Sequence, residues 1–413
     1  MPAAMTSRCL RNVEIENDYN VTMTLSLKEL TAEADRCVAC GLCLPHCPTY
    51  RKTGSEADSP RGRIQLIRAV SQDILPNSAR FKEHIDLCLS CRSCESACPN
   101  SVSYGTLVDT TRALYIKKES LWLTVAKPFI RHRALSYICT WPLWLLSKAK
   151  LLGALKRIVP AAKLLPAISK PIAWKALYPA TKPKHGAVSL FLGCATNAFD
   201  NQTLSASIYV LNALGYDVHV PTAQTCCGSI ARQAGDAVEA DALLAKNGAS
   251  FDRTMPILST ASGCGAGLQD YLTTHQVQDI STFLINCDWS VAEITPLQQR
   301  IFVQDPCSLR NGLKAQKAVY DLLKKIPTAD IQALPGNGQC CGGAGAYSIT
   351  QPEMANTLRD DKLTAMQSNQ VSILATSNIG CSLHITKGLE NAGMDIDVLH
   401  PVQIIAKQMG FRA

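Results

Sequence analysis

The sequence predicts a mixed α+β and α/β protein: a mostly helical, cysteine-rich N-terminal domain, a basic helical connector, and a C-terminal α/β lobe made of two copies of one unit. Three observations carry that expectation. The string CVACGLCLPHCP at 37–48 recurs as CLSCRSCESACP at 88–99 with identical cysteine spacing. Fourteen Lys or Arg stand against a single acid, Glu119, between Lys117 and Lys184. Beyond residue 185, apolar β-rich runs ending in cysteine alternate with helical stretches such as 314–325, the order expected of strands and crossover helices.

In chain order, residues 1–26 read as a disordered extension. Arg8, Arg11, Glu14, Glu16 and Asp18 leave no apolar region of the kind a secretory signal needs, and Met23 is an alternative start to Met1. Residues 27–115 form the cysteine-rich domain. Between its two runs, Ser59-Pro60-Arg61-Gly62-Arg63 leads into Ile64, Ile67, Val70 and Ile74, a helical period with proline near the helix start. Residues 116–184 are the connector, and 185–290 and 291–413 are the two repeats of the last lobe.

In the first repeat a run at 187–192 leads to Cys194, then Cys226-Cys227-Gly228, then Ile257 and Leu258 leading to Cys264. In the second, Ile301, Phe302 and Val303 lead to Cys307, then Cys340-Cys341-Gly342, then 371–375 leading to Cys381. The intervals between the cysteines match to within a few residues, the mark of a duplication.

Nineteen cysteines in 413 residues would imply disulfides in a short secreted chain, but here most are clustered. That clustering points to metal in a reducing compartment and predicts a cytoplasmic protein. The longest apolar run, 134–147, contains Pro142 and falls short of the roughly 18 to 20 residues that a spanning helix requires. A soluble or peripheral protein is therefore expected, with peripheral contact at the cytoplasmic face of the inner membrane.

C-x-x-C-x-x-C-x-x-x-C-P is the bacterial ferredoxin run, in which three closely spaced thiolates hold one cubane and the fourth reaches the other. That rule assigns Cys37, Cys40, Cys43 and Cys98 to one [4Fe-4S] cluster and Cys88, Cys91, Cys94 and Cys47 to a second. Zinc is the plain alternative, but a tetrahedral zinc site gains nothing from the third cysteine or the crossed spacing.

The vicinal pairs are less specific. Cys194, Cys226, Cys227 and Cys264, and likewise Cys307, Cys340, Cys341 and Cys381, are candidates for a further iron-sulfur cluster, another metal or a thiol redox site. Buried thiols beside tight glycine turns are the ordinary alternative. Cys9, Cys139 and Cys287 lie outside every repeat and read as buried thiols. His46 and His384 adjoin cysteines, and a solvated or core-packed imidazole is the favoured reading.

Trp122, Trp141, Trp144 and Trp174 fall among Leu and Lys over 121–184, which suits a lipid interface and equally a connector whose aromatics pack on the second lobe. Local basicity of this kind, without interleaved aromatics on strands, predicts no nucleic-acid partner. No nucleotide fingerprint occurs: Gly263-Cys264-Gly265-Ala266-Gly267 has the wrong final spacing. A nucleotide cofactor on this chain is therefore not expected.

The strings RCVACGLCLPHCPTY, SPRGRI, CLSCRSCESACP, TASGCGA, CCGGAGAY and SNIGCSLH resemble, in that order and from about Leu27 onward, the iron-sulfur subunit of bacterial glycolate oxidase (glycolate dehydrogenase), with two ferredoxin runs followed by two cysteine-rich CCG domains. The resemblance implies an oxidoreductase complex in which FAD on partner subunits oxidises glycolate to glyoxylate and this subunit passes electrons to a quinone. The same layout occurs in the D subunit of heterodisulfide reductase, which would make the CCG domains a thiol-disulfide reductase. It also occurs in iron-sulfur subunits of anaerobic glycerol-3-phosphate and lactate dehydrogenases. Some CCG proteins end each motif in C-x-x-C to give five cysteines for a noncubane cluster; here Cys264 and Cys381 stand alone.

Overall fold

The computed structural model describes residues 24–116, 128, 131–149 and 168–412. Cys9, Trp122 and nearly all of the expected extension lie outside the described residues.

The N-terminal unit is helical. Helix Leu27–Asp35 starts on a reciprocal cap in which Ser26 accepts from the Glu29 amide while the Glu29 carboxylate accepts from the Ser26 amide. Its Leu30 and Ala34 pack with Ile64, Ile67 and Val70 of helix Pro60–Ser71. That second helix opens with Pro60 in its first turn and Ser59 accepting from the Gly62 amide at 2.9 Å. The apolar period reads on to Ile74, but the helix stops at Ser71. Asp73 turns the chain at φ +56°, and Ile74 is left 69% exposed. Helices Ala79–Asp86 and Tyr104–Thr111 close the core with Phe81, Ile85, Leu107 and Val108, each worth about 1.5–3 kcal/mol when removed from water.

The C-terminal lobe holds two sheets. Strands β1 (Leu177–Tyr178), β2 (Gly186–Phe191), β3 (Tyr216–His219), β4 (Ile257–Ser259) and β5 (Val277–Asp279) lie in the order β1-β3-β2-β4-β5. Strands β6 (Arg300–Gln304), β7 (Asp330–Ala333), β8 (Ile373–Thr376) and β9 (Asp397–Leu399) lie in the order β7-β6-β8-β9. Apart from the antiparallel β1–β3 pair, every pairing is parallel. The second sheet thus repeats the first without β1, the duplication expected from the cysteine intervals. Short, apolar, buried strands such as Val188 and Leu190 of β2 suit a parallel sheet covered by helices. A single apolar core joins the repeats, running from Val188 and Leu258 through Ile301 and Val303 to Val402 and Ile405.

The chain between these units behaves in two ways. Helix Arg133–Lys148 contains Pro142 and buries none of its residues, leaving Leu135, Ile138 and Leu145 exposed. Cys139, read as a buried thiol, is only half-buried there, while Cys287 is buried. From Ile168 onward the chain joins the lobe: Trp174 packs on the core, and β1 adds an edge strand within the span expected to be connector. Among the described residues no helix is long and apolar enough to cross a membrane.

Candidate metal centres

Each cysteine run wraps a loop through left-handed backbone at matching offsets. Ala39 and Gly41 (φ +54° and +84°) in the first correspond to Ser90 and Arg92 (φ +50° and +57°) in the second. Three of the four are not glycine, so the fold holds these turns against an intrinsic cost. Around each loop lies a cavity.

Cys37, Cys40 and Cys43 line the first, of about 450 Å³ and open to solvent, and Cys98 from the second run joins them. Cys88, Cys91 and Cys94 line the second, of about 280 Å³, and Cys47 from the first run joins them. Cys94 borders both, so the cavities adjoin. No carboxylate or imidazole lines either one, and apolar walls include Ile64 and Val102 in the first and Leu89 in the second. Among the described residues no three Cys, His, Asp or Glu side chains converge on one ion-sized position. Three cysteines of one run completed by the fourth of the other is the crossed arrangement of a two-cubane site, which a single tetrahedral zinc does not call for.

The SPRGRI string explains how these loops are held. Arg61 donates to the Ala39 carbonyl (3.0 Å) in the first loop and pairs with Glu56. Arg63, 1% exposed, donates to Thr49 Oγ1 (3.1 Å) and to the His84 carbonyl (2.6 Å), and approaches Cys47 Sγ at 3.9 Å. Asp58 faces it at 3.7 Å and also meets His84 Nδ1 at 2.8 Å. Gly62 between the two arginines is obligatory, because a Cβ there would collide with the Glu56 carbonyl. Arg112 does for the second loop what Arg61 does for the first, donating to the Cys88 carbonyl (2.6 Å) and Ser90 Oγ (2.7 Å). Burial pushes the Cys91 and Cys94 thiols well above the ordinary cysteine range, so loading metal there must displace protons.

In the C-terminal lobe the cysteines follow the carboxyl ends of neighbouring strands. Cys194 follows β2, Cys264 follows β4, and the Cys226-Cys227 pair follows β3; Cys307, Cys381 and Cys340-Cys341 follow β6, β8 and β7. In an open parallel sheet this is the crevice where strand order reverses and ligands bind. A buried amide fixes each loop before the vicinal pair. Gln224 bridges the Leu190 carbonyl (3.1 Å) and Leu192 amide (2.8 Å), and Asn337 bridges the Val303 carbonyl (2.7 Å) and Asp305 amide (3.2 Å).

Cys194 and Cys226 sulfurs approach to 3.5 Å, and Cys307 and Cys340 to 3.7 Å. Hydrogen bonds from Cys226 and Cys264 hold Cys227 well below the ordinary thiol range. The glycine after each pair takes φ +83° (Gly228) or +82° (Gly342), tight against Ala240 or Ala355. His384 is buried on the Ala355 carbonyl (3.0 Å) and His46 is exposed.

A family model described as a 4Fe-4S dicluster domain matches residues 33–102, and one described as a cysteine-rich domain matches 188–269 and 301–386. The glycolate oxidase iron-sulfur subunit of Escherichia coli (strain K12) is 30% identical over 90% of this chain and 93% of its own length. The chain belongs to the glycolate oxidase iron-sulfur subunit family. A probable glycolate oxidase iron-sulfur subunit of Bacillus subtilis (strain 168) is 28% identical over 97% of this chain and 98% of the relative. One subunit of a fumarate reductase (CoM/CoB) from Methanothermobacter marburgensis is 24% identical over 89% of this chain and 71% of the relative.

In this glycolate oxidase iron-sulfur subunit family member the N-terminal unit docks on the second repeat beside the second cavity. Asn311 donates to the Cys91 carbonyl (2.8 Å), Tyr347 donates to the Leu87 carbonyl (2.8 Å), and Lys52 pairs with Asp361 (2.8 Å). Leu89 packs with Cys340, Tyr347 and Leu358, with Cys91 and Cys307 at the edge of the same cluster. Sequence reasoning did not single out Asn311, Tyr347 or Arg112. Their signal is tertiary, since each acts on a loop distant in sequence.

Proposed function

We propose that the chain is the electron-transfer subunit of a flavin-dependent 2-hydroxy-acid dehydrogenase, a glycolate oxidase taking glycolate to glyoxylate. Cys37, Cys40, Cys43 and Cys98 hold one [4Fe-4S] cluster; Cys88, Cys91, Cys94 and Cys47 hold the other. One observation carries the assignment: each trio is completed by a cysteine of the other run around its own carboxylate-free cavity. When bound, such clusters take up and release single electrons. The domains are read as 27–115, 116–184, 185–290 and 291–413, with the end of the second span, from Ile168, packed on the lobe that follows.

This chain's residues do three things for that chemistry. Arg61, Arg63 and Arg112 fix the loops, so the sulfurs are positioned before metal arrives. Cys47, Cys88 and Cys94 are buried at the second cavity, which places three of its four sulfurs away from bulk water. Cys40 is exposed between Val38 and Leu42, themselves exposed, which gives the first cavity a face for a flavin-bearing partner subunit. Electrons then pass to a quinone from a protein held peripherally on the cytoplasmic face of the membrane, with Leu135, Ile138 and Leu145 of helix Arg133–Lys148 as the contact.

The test is anaerobic mixing with the flavin-bearing subunits. Glycolate should bleach the visible iron-sulfur absorbance only when those subunits are present. Bleaching by lactate or glycerol-3-phosphate but not glycolate would reassign the substrate.

A second reading, direct disulfide reduction by the C-terminal cysteines, draws on the approach of Cys194 to Cys226 (3.5 Å) and of Cys307 to Cys340 (3.7 Å), each bringing one member of a vicinal pair to a further thiol. It requires disulfide-reductase activity that Cys227→Ser and Cys341→Ser abolish.

A further inference from the structure

The two repeats are alike in fold but not in charge. Gly228 and Gly342 pack against Ala240 and Ala355, which makes these alanines equivalent. At the same distance beyond each, the first repeat has Asn247 and the second has Lys362. At the same distance beyond the first cysteine of each quartet, the first repeat has Asn197 and the second Arg310.

Asn247 is fully buried and neutral, bridging the Thr225 amide (2.9 Å) and the Cys226 carbonyl (2.8 Å). Lys362 is 1% exposed and donates to the Gly336 carbonyl (2.7 Å). Arg310 donates to the Asn337 and Gly338 carbonyls. Both cations thus hold the turn that feeds directly into Cys340 and Cys341. Asp305, held by Tyr320 (3.1 Å), offsets one of them and has Leu192 as its counterpart. At these three positions the second repeat carries one positive charge more than the first, whereas the first repeat's own buried cation, Arg232, lies on the Tyr271 ring at 3.6 Å.

Position separates the quartets as well. Cys91 lies in one apolar cluster with Cys307 and Cys340, and Asn311 ties its carbonyl to the second repeat. The N-terminal unit meets the first repeat through the Arg92–Asp270 ion pair (2.7 Å) and through 112–116 against helix Ser229–Gln233, but no residue of either N-terminal run shares the apolar cluster of the first quartet. Asp270 stands about 9 Å along helix Ser262–Tyr271 from Cys264, at 1.5 Å rise per residue.

We propose that the second quartet, Cys307, Cys340, Cys341 and Cys381, is the electron-exchange site of the C-terminal lobe, set by the positioning residues Lys362 and Arg310 to be the more readily reduced of the two quartets. It rests on the iron-sulfur reading of the two N-terminal runs and takes, of the occupants open to the quartet, an iron-sulfur group. The Cys47, Cys88, Cys91 and Cys94 site loses one electron and the second quartet gains one. The added negative charge is met by fixed cations, so no proton need move. A buried positive charge favours the more negative state.

The test is a redox titration followed by electron paramagnetic resonance on the full chain, purified anaerobically. A signal abolished by Cys381→Ser and retained in Cys264→Ser should appear. Lys362→Met should shift its reduction equilibrium about tenfold toward the oxidised form, about 59 mV for a one-electron couple. Lys362→Arg should restore it, and Asn247→Leu should leave it in place. If Lys362→Met fails to fold, Arg310→Met reads the same shift. In the parent protein, Cys381→Ser but not Cys264→Ser should also remove magnetic broadening of the N-terminal signals. An unmoved potential in an intact Lys362→Met protein, or no signal dependent on Cys381, overturns the inference while leaving the N-terminal clusters standing. Absence of iron from the whole chain would instead sink the reading beneath it.

Discussion

The side-chain amide of Asn311 donates to the backbone carbonyl of Cys91 at 2.8 Å and accepts from Ser96 Oγ at 3.4 Å, so one side chain joins a predicted cluster loop to the turn that follows Cys307. Replacing Asn311 with Ala should cost about 1 kcal/mol of stability, the usual net value of such a bond. Thermal unfolding of the loaded protein should register it. Little change in iron content is expected, because the carbonyl is not a ligand.

Arg63 is a more demanding site. Its guanidinium is buried against Asp58, Thr49 and the His84 carbonyl. Arg63→Met leaves a buried carboxylate without its cation and should cost about 3–5 kcal/mol. Urea unfolding measures the loss, and iron content should fall with it because Cys47 sits against the same side chain.

Three glycines with positive φ separate backbone strain from steric collision. Gly54→Ala, at φ +66° with open surroundings, should lose only about 1 kcal/mol. Gly342→Ala adds a Cβ 2.5 Å from the Ala355 carbonyl and should lose considerably more; Gly228→Ala, with its nearest contact at 3.1 Å, should fall between. Denaturant midpoints in that order support the packing described for the vicinal pairs.

Burial pushes the Asp279 carboxyl up to about 6, from an ordinary value near 3.8. The folded state therefore binds the extra proton between those values. This contribution to stability is complete below about pH 4 and is lost as pH rises through 6. Asp279→Asn should gain up to about 3 kcal/mol over the parent at pH 8 and almost nothing at pH 4. His400 works in the opposite sense: burial pushes it down to about 3, so its share is present above about pH 6.5 and is lost on acidification. Chemical denaturation across pH 4 to 8 reads both.

Helix Arg133–Lys148 should bind anionic vesicles in a salt-sensitive manner, because Leu135, Ile138 and Leu145 are exposed alongside Lys148. Equal recovery of the protein with and without vesicles would leave this helix without a membrane role.

The duplicated cysteine strings and the repeated strand–cysteine order are periodic signals, and they made the two-part architecture and the parallel sheets legible. Other features carry no such signal. Strand β1 is two residues long and exists only because β3 pairs with it. The helix end at Ser71 depends on one residue, Asp73, adopting left-handed backbone. Lys362 sits in the charged string Arg359-Asp360-Asp361-Lys362, which carries no signal of burial, and the fold buries it. Only tertiary packing buries Lys362 and Arg359 while leaving Asp360 and Asp361 between them exposed.

The most direct measurement is iron and acid-labile sulfide per chain in oxygen-free protein, beside a variant in which Cys37, Cys40, Cys43, Cys88, Cys91 and Cys94 are all Ala. The parent should hold about eight irons more than the variant, matching two [4Fe-4S] clusters. Equal iron in both, or stoichiometric zinc in a colourless parent, would contradict the account.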